Sequence, residues 1–146
     1  MAFTYDELRK RGFDRVAHAL HSFWEEQKDD QPRAARVHSR LFETLIYNNH
    51  IELNEKTPDR MYPEHVVPCA YIRDHAFEMY WNDKTPEEVS AMIGRLLRIA
   101  YIRKEDANKL NKKHKSTMPE DWDPASDSIL RRLEDARIAI VCEKNI

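Results

Sequence analysis

The sequence predicts a mainly helical α+β fold in which a helical scaffold carries a small ββα element. Three observations lead to this prediction. Apolar residues recur with helical spacing over much of the chain. The segment 61–67, which ends in two valines before Pro68, and the apolar, partly β-branched run 99–102 are typical of short strands, and the second directly precedes another helical pattern. With 146 residues the chain is long enough to bury a core of its own, and we expect one domain over 1–146.

The composition argues against several classes of protein. Two glycines are too few for the glycine-rich loops that hold nucleotide phosphates in dinucleotide-binding and Walker-type folds. Two cysteines, Cys69 and Cys142, are too few for a disulfide framework, so we expect a reducing, cytoplasmic setting. No apolar run approaches the roughly 18 residues of a membrane span, so no membrane partner is expected. The net charge of -2 leaves room for a local basic groove but not for a wholly basic surface.

Residues 1–60 are predicted to form the helical scaffold. Thr4 and Glu7 have the spacing of a capping box, and the apolar pattern that follows predicts a helix to about Lys28. Pro32 suits the first turn of a second helix, because its missing N–H costs nothing there, and the pattern extends to about Asn48.

Residues 61–119 are predicted to form the core of the ββα element, with a helical insertion at 72–98. The capping signal at Thr85-Pro86-Glu87-Glu88 makes the second insertion helix the clearest helical pattern. The predicted elements are, in order, a strand at 61–67, helices at 72–81 and from Thr85, a strand at 99–102 and a helix from Lys104 to about Ser116.

Residues 120–146 are predicted to form a C-terminal helix and tail. An acidic loop around Trp122 leads into a short helix near Leu130. The apolar run Ile138–Cys142 is either a strand or a buried tail.

The run Glu64-His65-Val66-Val67-Pro68 carries the main chemical prediction. Side chains alternate between the two faces of a strand, but a strand that ends near Pro68 allows Glu64 and His65 to reach one site. A histidine near neutral pKa can deprotonate water, and a carboxylate can hold a divalent cation against phosphate oxygens. The alternative is structural, with His65 an interior histidine that has its hydrogen bonds and Glu64 on the surface.

This five-residue run resembles the first motif of the HNH, or His-Me finger, endonucleases, whose core is a ββα-metal element. The resemblance implies that Glu64 is a metal ligand and that His65 is the general base of a metal-dependent endonuclease. It also implies further ligands on the helix after the second strand, where Asn111 and His114 share a face and Asn108 lies one turn earlier. Mg²⁺, Mn²⁺ and Zn²⁺ all suit such ligands. The chain departs from the family pattern in its helical insertion and in the absence of a Cys-x-x-Cys pair.

The segment 103–115 predicts a basic surface beside this site. It contains six lysines and arginines against two acidic residues, a local charge of +4 in a chain of net charge -2. Such a helix suits docking on a phosphate backbone, with DNA expected in preference to RNA, although a solvated helix face has the same pattern. The predicted phosphate contacts are Arg103, Lys109, Lys112, Lys113 and Lys115. The rival prediction is a non-catalytic binding or inhibitor module for a protein partner, with or without a degenerate nuclease core.

Overall fold

The computed structural model describes residues 2–141 and 143, and it confirms the mainly helical α+β class. About 50% of the chain is helical, and two strands form a small antiparallel sheet. The elements are α1 (Tyr5–Gln27), α2 (Leu41–Leu45), a 3₁₀ turn (Asn48–His50), β1 (Tyr62–His65), α3 (Cys69–Trp81), α4 (Pro86–Leu96), β2 (Ile99–Ile102), α5 (Lys104–His114) and α6 (Arg131–Asp135). No helix in the described ranges is both long and apolar enough to cross a membrane.

The chain divides into two compact units. The first comprises Met1–His50 and Ile72–Arg95, and the second comprises Ile51–Tyr71 and Leu96–Ile146. Most of the predicted helical insertion therefore belongs to the first unit, whereas both strands belong to the second.

Helix α1 forms as predicted because both partners of its capping box are in place. The Glu7 N–H donates to Thr4 Oγ1 over 3.1 Å, and the Thr4 N–H donates to Glu7 Oε2 over 3.0 Å. The buried face of the helix includes Val16 and Leu20. The Tyr80 hydroxyl of α3 donates to the Ala17 carbonyl over 2.7 Å, which ties α3 to the middle of α1.

The predicted second helix from Pro32 to Asn48 is wrong for most of its length, because only α2 is α-helical there. The physical reason lies in a buried amide at the end of α1. Gln27 Oε1 accepts from the Arg36 N–H over 2.8 Å, and Gln27 Nε2 donates to the Arg36 carbonyl over 3.3 Å. The guanidinium of Arg73 also donates to the carbonyl of Val37. These long-range hydrogen bonds replace the helical ones that the local apolar pattern suggested.

Gly12 lies inside α1 at a point of close approach to Ile46. A Cβ at position 12 would lie 2.6 Å from Ile46 Cδ1 and 2.8 Å from its Cγ1. We expect Gly12→Ala to lower the free energy of unfolding by about 1–3 kcal/mol, because overpacking outweighs the gain in helix propensity. Chemical denaturation measures the loss. Gly94→Ala is the matched control with a smaller expected loss, since its Cβ would lie 3.1 Å from the ring of Phe13. A gain in stability from Gly12→Ala would contradict the close approach.

The second unit contains the predicted ββα element. Strands β1 and β2 pair antiparallel in a register that runs from Tyr62 opposite Ile102 to His65 opposite Ile99. Helix α5 begins two residues after β2 and lies against β1. The bounds of β2 agree with the predicted strand, and α5 ends two residues before its predicted end.

The segment 51–53, which the sequence did not predict to pair, borders β2 on its other side. The Ile99 N–H donates to the Ile51 carbonyl over 3.0 Å, and the Leu53 N–H donates to the Ile99 carbonyl over 2.8 Å. The buried side chain of Asn54 continues this pairing. Its Oδ1 accepts from the Tyr101 N–H over 2.8 Å and its Nδ2 donates to the Tyr101 carbonyl over 3.1 Å.

The C-terminal segment follows the prediction in its loop and its short helix. The buried indole of Trp122 donates to the Ser128 carbonyl over 2.8 Å and so anchors the acidic loop ahead of α6. Residues 138–141 are not a strand, and Cys142 lies outside the described residues.

Candidate functional site

A buried guanidinium joins the end of β1 to the end of α5. Arg132 of α6 is 1% exposed. Its Nη2 donates to Glu64 Oε1 over 3.1 Å and to the His65 carbonyl. Its Nη1 donates to the His114 carbonyl over 2.6 Å, and its Nε donates to the Val66 carbonyl over 3.3 Å. Four oxygen atoms from the end of β1 and the end of α5 thus surround one internal cation.

Glu64 and Arg132 form a buried ion pair. Burial raises the pKa of Glu64 above its ordinary value, and the nearby guanidinium opposes that rise without cancelling it. Burial likewise lowers the pKa of Arg132, although an arginine starts so high that it stays protonated. The carboxylate predicted to hold a metal ion is therefore already neutralised by a side chain of the same chain.

The two residues of the predicted catalytic pair lie at successive positions of β1. Glu64 is 8% exposed and its side chain meets Arg132. His65, the last residue of β1, is half-buried, and the alternation of a strand directs it away from the face that Glu64 occupies. Lys104 Nζ lies 4.4 Å from the ring centroid of Tyr62, two positions before Glu64, which places the start of α5 on the Glu64 face.

The helix residues predicted as ligands differ in exposure. The buried side of α5 consists of Ala107 and Leu110. His114 is half-buried at the end of the helix, where its Nδ1 lies 3.3 Å from Thr117 Oγ1. Asn108 and Asn111 are exposed.

The donor set does not fit the metal that the resemblance implies. Among the described residues, no group of three or more His, Cys, Asp or Glu side chains is placed to hold a metal ion. The one acidic donor, Glu64, is in contact with a guanidinium. A divalent cation bound to that carboxylate would lie beside a second positive charge in a buried environment, which is strongly unfavourable.

The predicted phosphate contacts form an exposed basic surface. We define the lysine face of α5 as Lys109, Lys112 and Lys113 of the helix and Lys115 at its C-terminal cap, all of which are exposed. In the described part of the chain, none of these lysines has a carboxylate within ion-pair distance. The fifth predicted contact, Arg103, instead forms an exposed ion pair with Asp106 over 3.2 Å.

Sequence reasoning missed Arg132, although a signal for it exists. Ile129, Arg132 and Leu133 have the i, i+3, i+4 spacing of one helix face, and the two apolar members are buried. A charged residue on the apolar side of a helix needs a buried partner of opposite charge. Glu64, in the predicted short strand 61–67 that ends in two apolar valines, was available as that partner.

Comparisons with known proteins identify no relative of this chain. The chain matches no model of a known protein family, and neither the curated proteins nor the solved structures give a match.

Proposed function

We propose that the ββα element is a nucleic-acid-binding module that docks on the phosphate backbone through the lysine face of α5 and does not hydrolyse it. The observation that carries this proposal is the ion pair between Glu64 and Arg132. It occupies the carboxylate that a metal-dependent nuclease built on this element would need, whereas the lysine face has no ion-pair partner among the described residues.

The charge distribution supports phosphate as the ligand. The lysine face consists of exposed ammonium groups that lack ion-pair partners among the described residues, whereas Arg103 at the start of the helix is paired. Lysine ammonium groups on one side of a helix neutralise successive phosphates and release their counterions. The chain as a whole carries a charge of -2, so this attraction is local to the helix.

Salt dependence of binding tests the phosphate contacts. We expect the affinity for duplex DNA, measured by fluorescence anisotropy, to fall with salt with a log–log slope of roughly -3 to -4 for four neutralised phosphates. Lys112→Gln and Lys115→Gln should each lower that slope by about 1 because each removes one phosphate contact. Lys84→Gln, a change of the same type at an exposed lysine of the first unit, is the control and should leave the slope unchanged. Binding with no salt dependence, or no binding, would contradict the proposal.

Incubation with metal tests the absence of turnover. Plasmid DNA and RNA should stay intact with the folded protein in Mg²⁺, Mn²⁺ or Zn²⁺, as they do in EDTA. Metal-dependent nicking that disappears in His65→Ala would instead establish the second candidate, a metal-dependent endonuclease. One observation favours that candidate: His65 ends the first strand of a ββα element and is half-buried, the place that the resemblance gives to a general base.

A further inference from the structure

We propose that a cavity between α5 and α6 binds the phosphate monoester of a nucleotide, either at the end of a nucleic-acid strand or in a free mononucleotide. The cavity has a volume of about 450 Å³. That volume lies within the range of about 300–1,000 Å³ that is typical of small-ligand sites. For a strand end the inference rests on the proposed function, whereas for a free nucleotide it does not.

The cavity is lined by positively charged side chains that would attract an anion. Lys109 and Lys113 face it from successive turns of α5, and Arg137 faces it from the residues after α6. None of the three has an ion-pair partner in the described ranges. The one carboxylate among the described lining residues, Asp135, accepts from Arg131 Nε at 3.1 Å through both oxygens, so its charge is already compensated.

The remaining walls suit a nucleotide rather than a bare ion. Leu110 is buried and Ala136 is half-buried, and together they give the cavity an apolar wall. The guanidinium of Arg137 can form two parallel hydrogen bonds to a phosphate or stack on a base. Arg132 also lines the cavity and holds the end of α5 through the His114 carbonyl, so the lysines project from a fixed helix end.

The balance of charge favours a monoester over an internal phosphodiester. A phosphomonoester carries about -1.5 to -2 at neutral pH, whereas each backbone diester carries one negative charge. Three cations around one cavity, which have no ion-pair partner within the described part of the chain, match the more highly charged group. This distinguishes the cavity from the lysine face as a whole, on which Lys112 and Lys115 do not line the cavity.

Oligonucleotides that differ only at their ends test this site. Short single strands with a phosphate or a hydroxyl at the 5′ end, and the same pair at the 3′ end, are compared by fluorescence anisotropy. At one of the two ends, we expect the strand with a terminal phosphate to bind about tenfold more tightly than the strand with a hydroxyl. This is the effect of one charge-assisted hydrogen bond. Lys113→Gln and Arg137→Gln should abolish that preference. Lys112→Gln, the same change one position along the helix, should weaken all strands equally and keep the preference.

Amide chemical shifts distinguish this inference from the proposed function. Titration with adenosine monophosphate, and separately with inorganic phosphate, should shift the amide signals of Leu110 and Ala136 in the wild type but not in Arg137→Gln. If these shifts occur and no strand binds, the cavity site stands for free nucleotides and the proposed function fails. If strands bind with the expected salt dependence but neither end phosphate nor mononucleotide has an effect, the cavity inference is overturned and the proposed function stands.

Discussion

Arg132→Met is expected to lower the free energy of unfolding by about 3–5 kcal/mol, the loss typical of a buried ion pair that keeps one partner. The substitution leaves the carboxylate of Glu64 buried without a counter-charge. It also removes the donor to the carbonyls of His65, Val66 and His114. Denaturation by urea or guanidinium chloride, followed by circular dichroism, measures the loss.

Arg131 provides a matched control for that measurement. It is the adjacent residue of α6, and it pairs with Asp121 and Asp135 at the surface. Exposed ion pairs contribute little, so Arg131→Met should cost far less than Arg132→Met. In a double-mutant cycle, the variant with both Glu64→Gln and Arg132→Met should lose less free energy of unfolding than the two single variants lose in sum. The reason is that the double variant leaves no buried charge without a partner. Equal losses for the two arginine variants would show that the buried network does not stabilise the fold.

The pH dependence of the Arg132→Met loss gives a second signature. Burial already raises the pKa of Glu64, and removal of the guanidinium takes away the main influence that opposes the rise. In the variant the folded protein therefore binds a proton at Glu64 more tightly than the unfolded chain does. The loss should be full above the raised pKa and should shrink as the pH falls through it, because a protonated carboxyl needs no counter-charge. A loss that does not change with pH would assign the effect to packing alone.

The helices and strands that the sequence predicted well are those with local signals. The capping boxes that begin α1 and α4 both form, with the Glu88 N–H donating to Thr85 Oγ1 in the second. Strand β2 has the predicted bounds. The prediction of the second helix was wrong because the side-chain amide of Gln27 forms hydrogen bonds with the backbone of Arg36, nine positions away. The apolar periodicity of the segment itself contains no sign of these hydrogen bonds.

The candidate site shows that local sequence patterns also fail to predict contacts between residues far apart in the chain. The basic segment was predicted to be exposed beside β1, and its lysines are exposed on the helix that packs against β1. What the sequence could not predict is the partner of Glu64, because Arg132 lies 68 positions away. A carboxylate beside a histidine has the same local pattern whether it holds a metal ion or an arginine. The endonuclease therefore stays a prediction, and the ion pair gives the reason to propose binding without turnover.

Asn54→Ala is expected to lower the free energy of unfolding by about 2–4 kcal/mol, since a buried backbone group left without a partner costs about 1–3 kcal/mol. Asn54 is 3% exposed, and its amide pairs with both the N–H and the carbonyl of Tyr101. It therefore acts as a strand neighbour for the part of β2 that the Ile51–Leu53 segment does not reach. Alanine removes both hydrogen bonds from a strand whose four residues are buried.

Hydrogen exchange connects the Asn54→Ala loss to its cause. The amide hydrogen of Tyr101 should exchange faster in the variant than in the wild type by more than global destabilisation explains, because its acceptor is the deleted Asn54 Oδ1. Asn108→Ala, at an exposed position of α5, is the control, with an expected change within about 0.5 kcal/mol. A destabilised variant in which the Tyr101 amide keeps its relative protection would place the loss elsewhere. Because β2 pairs directly with β1, loosening it should also weaken the strand that holds Glu64 against Arg132.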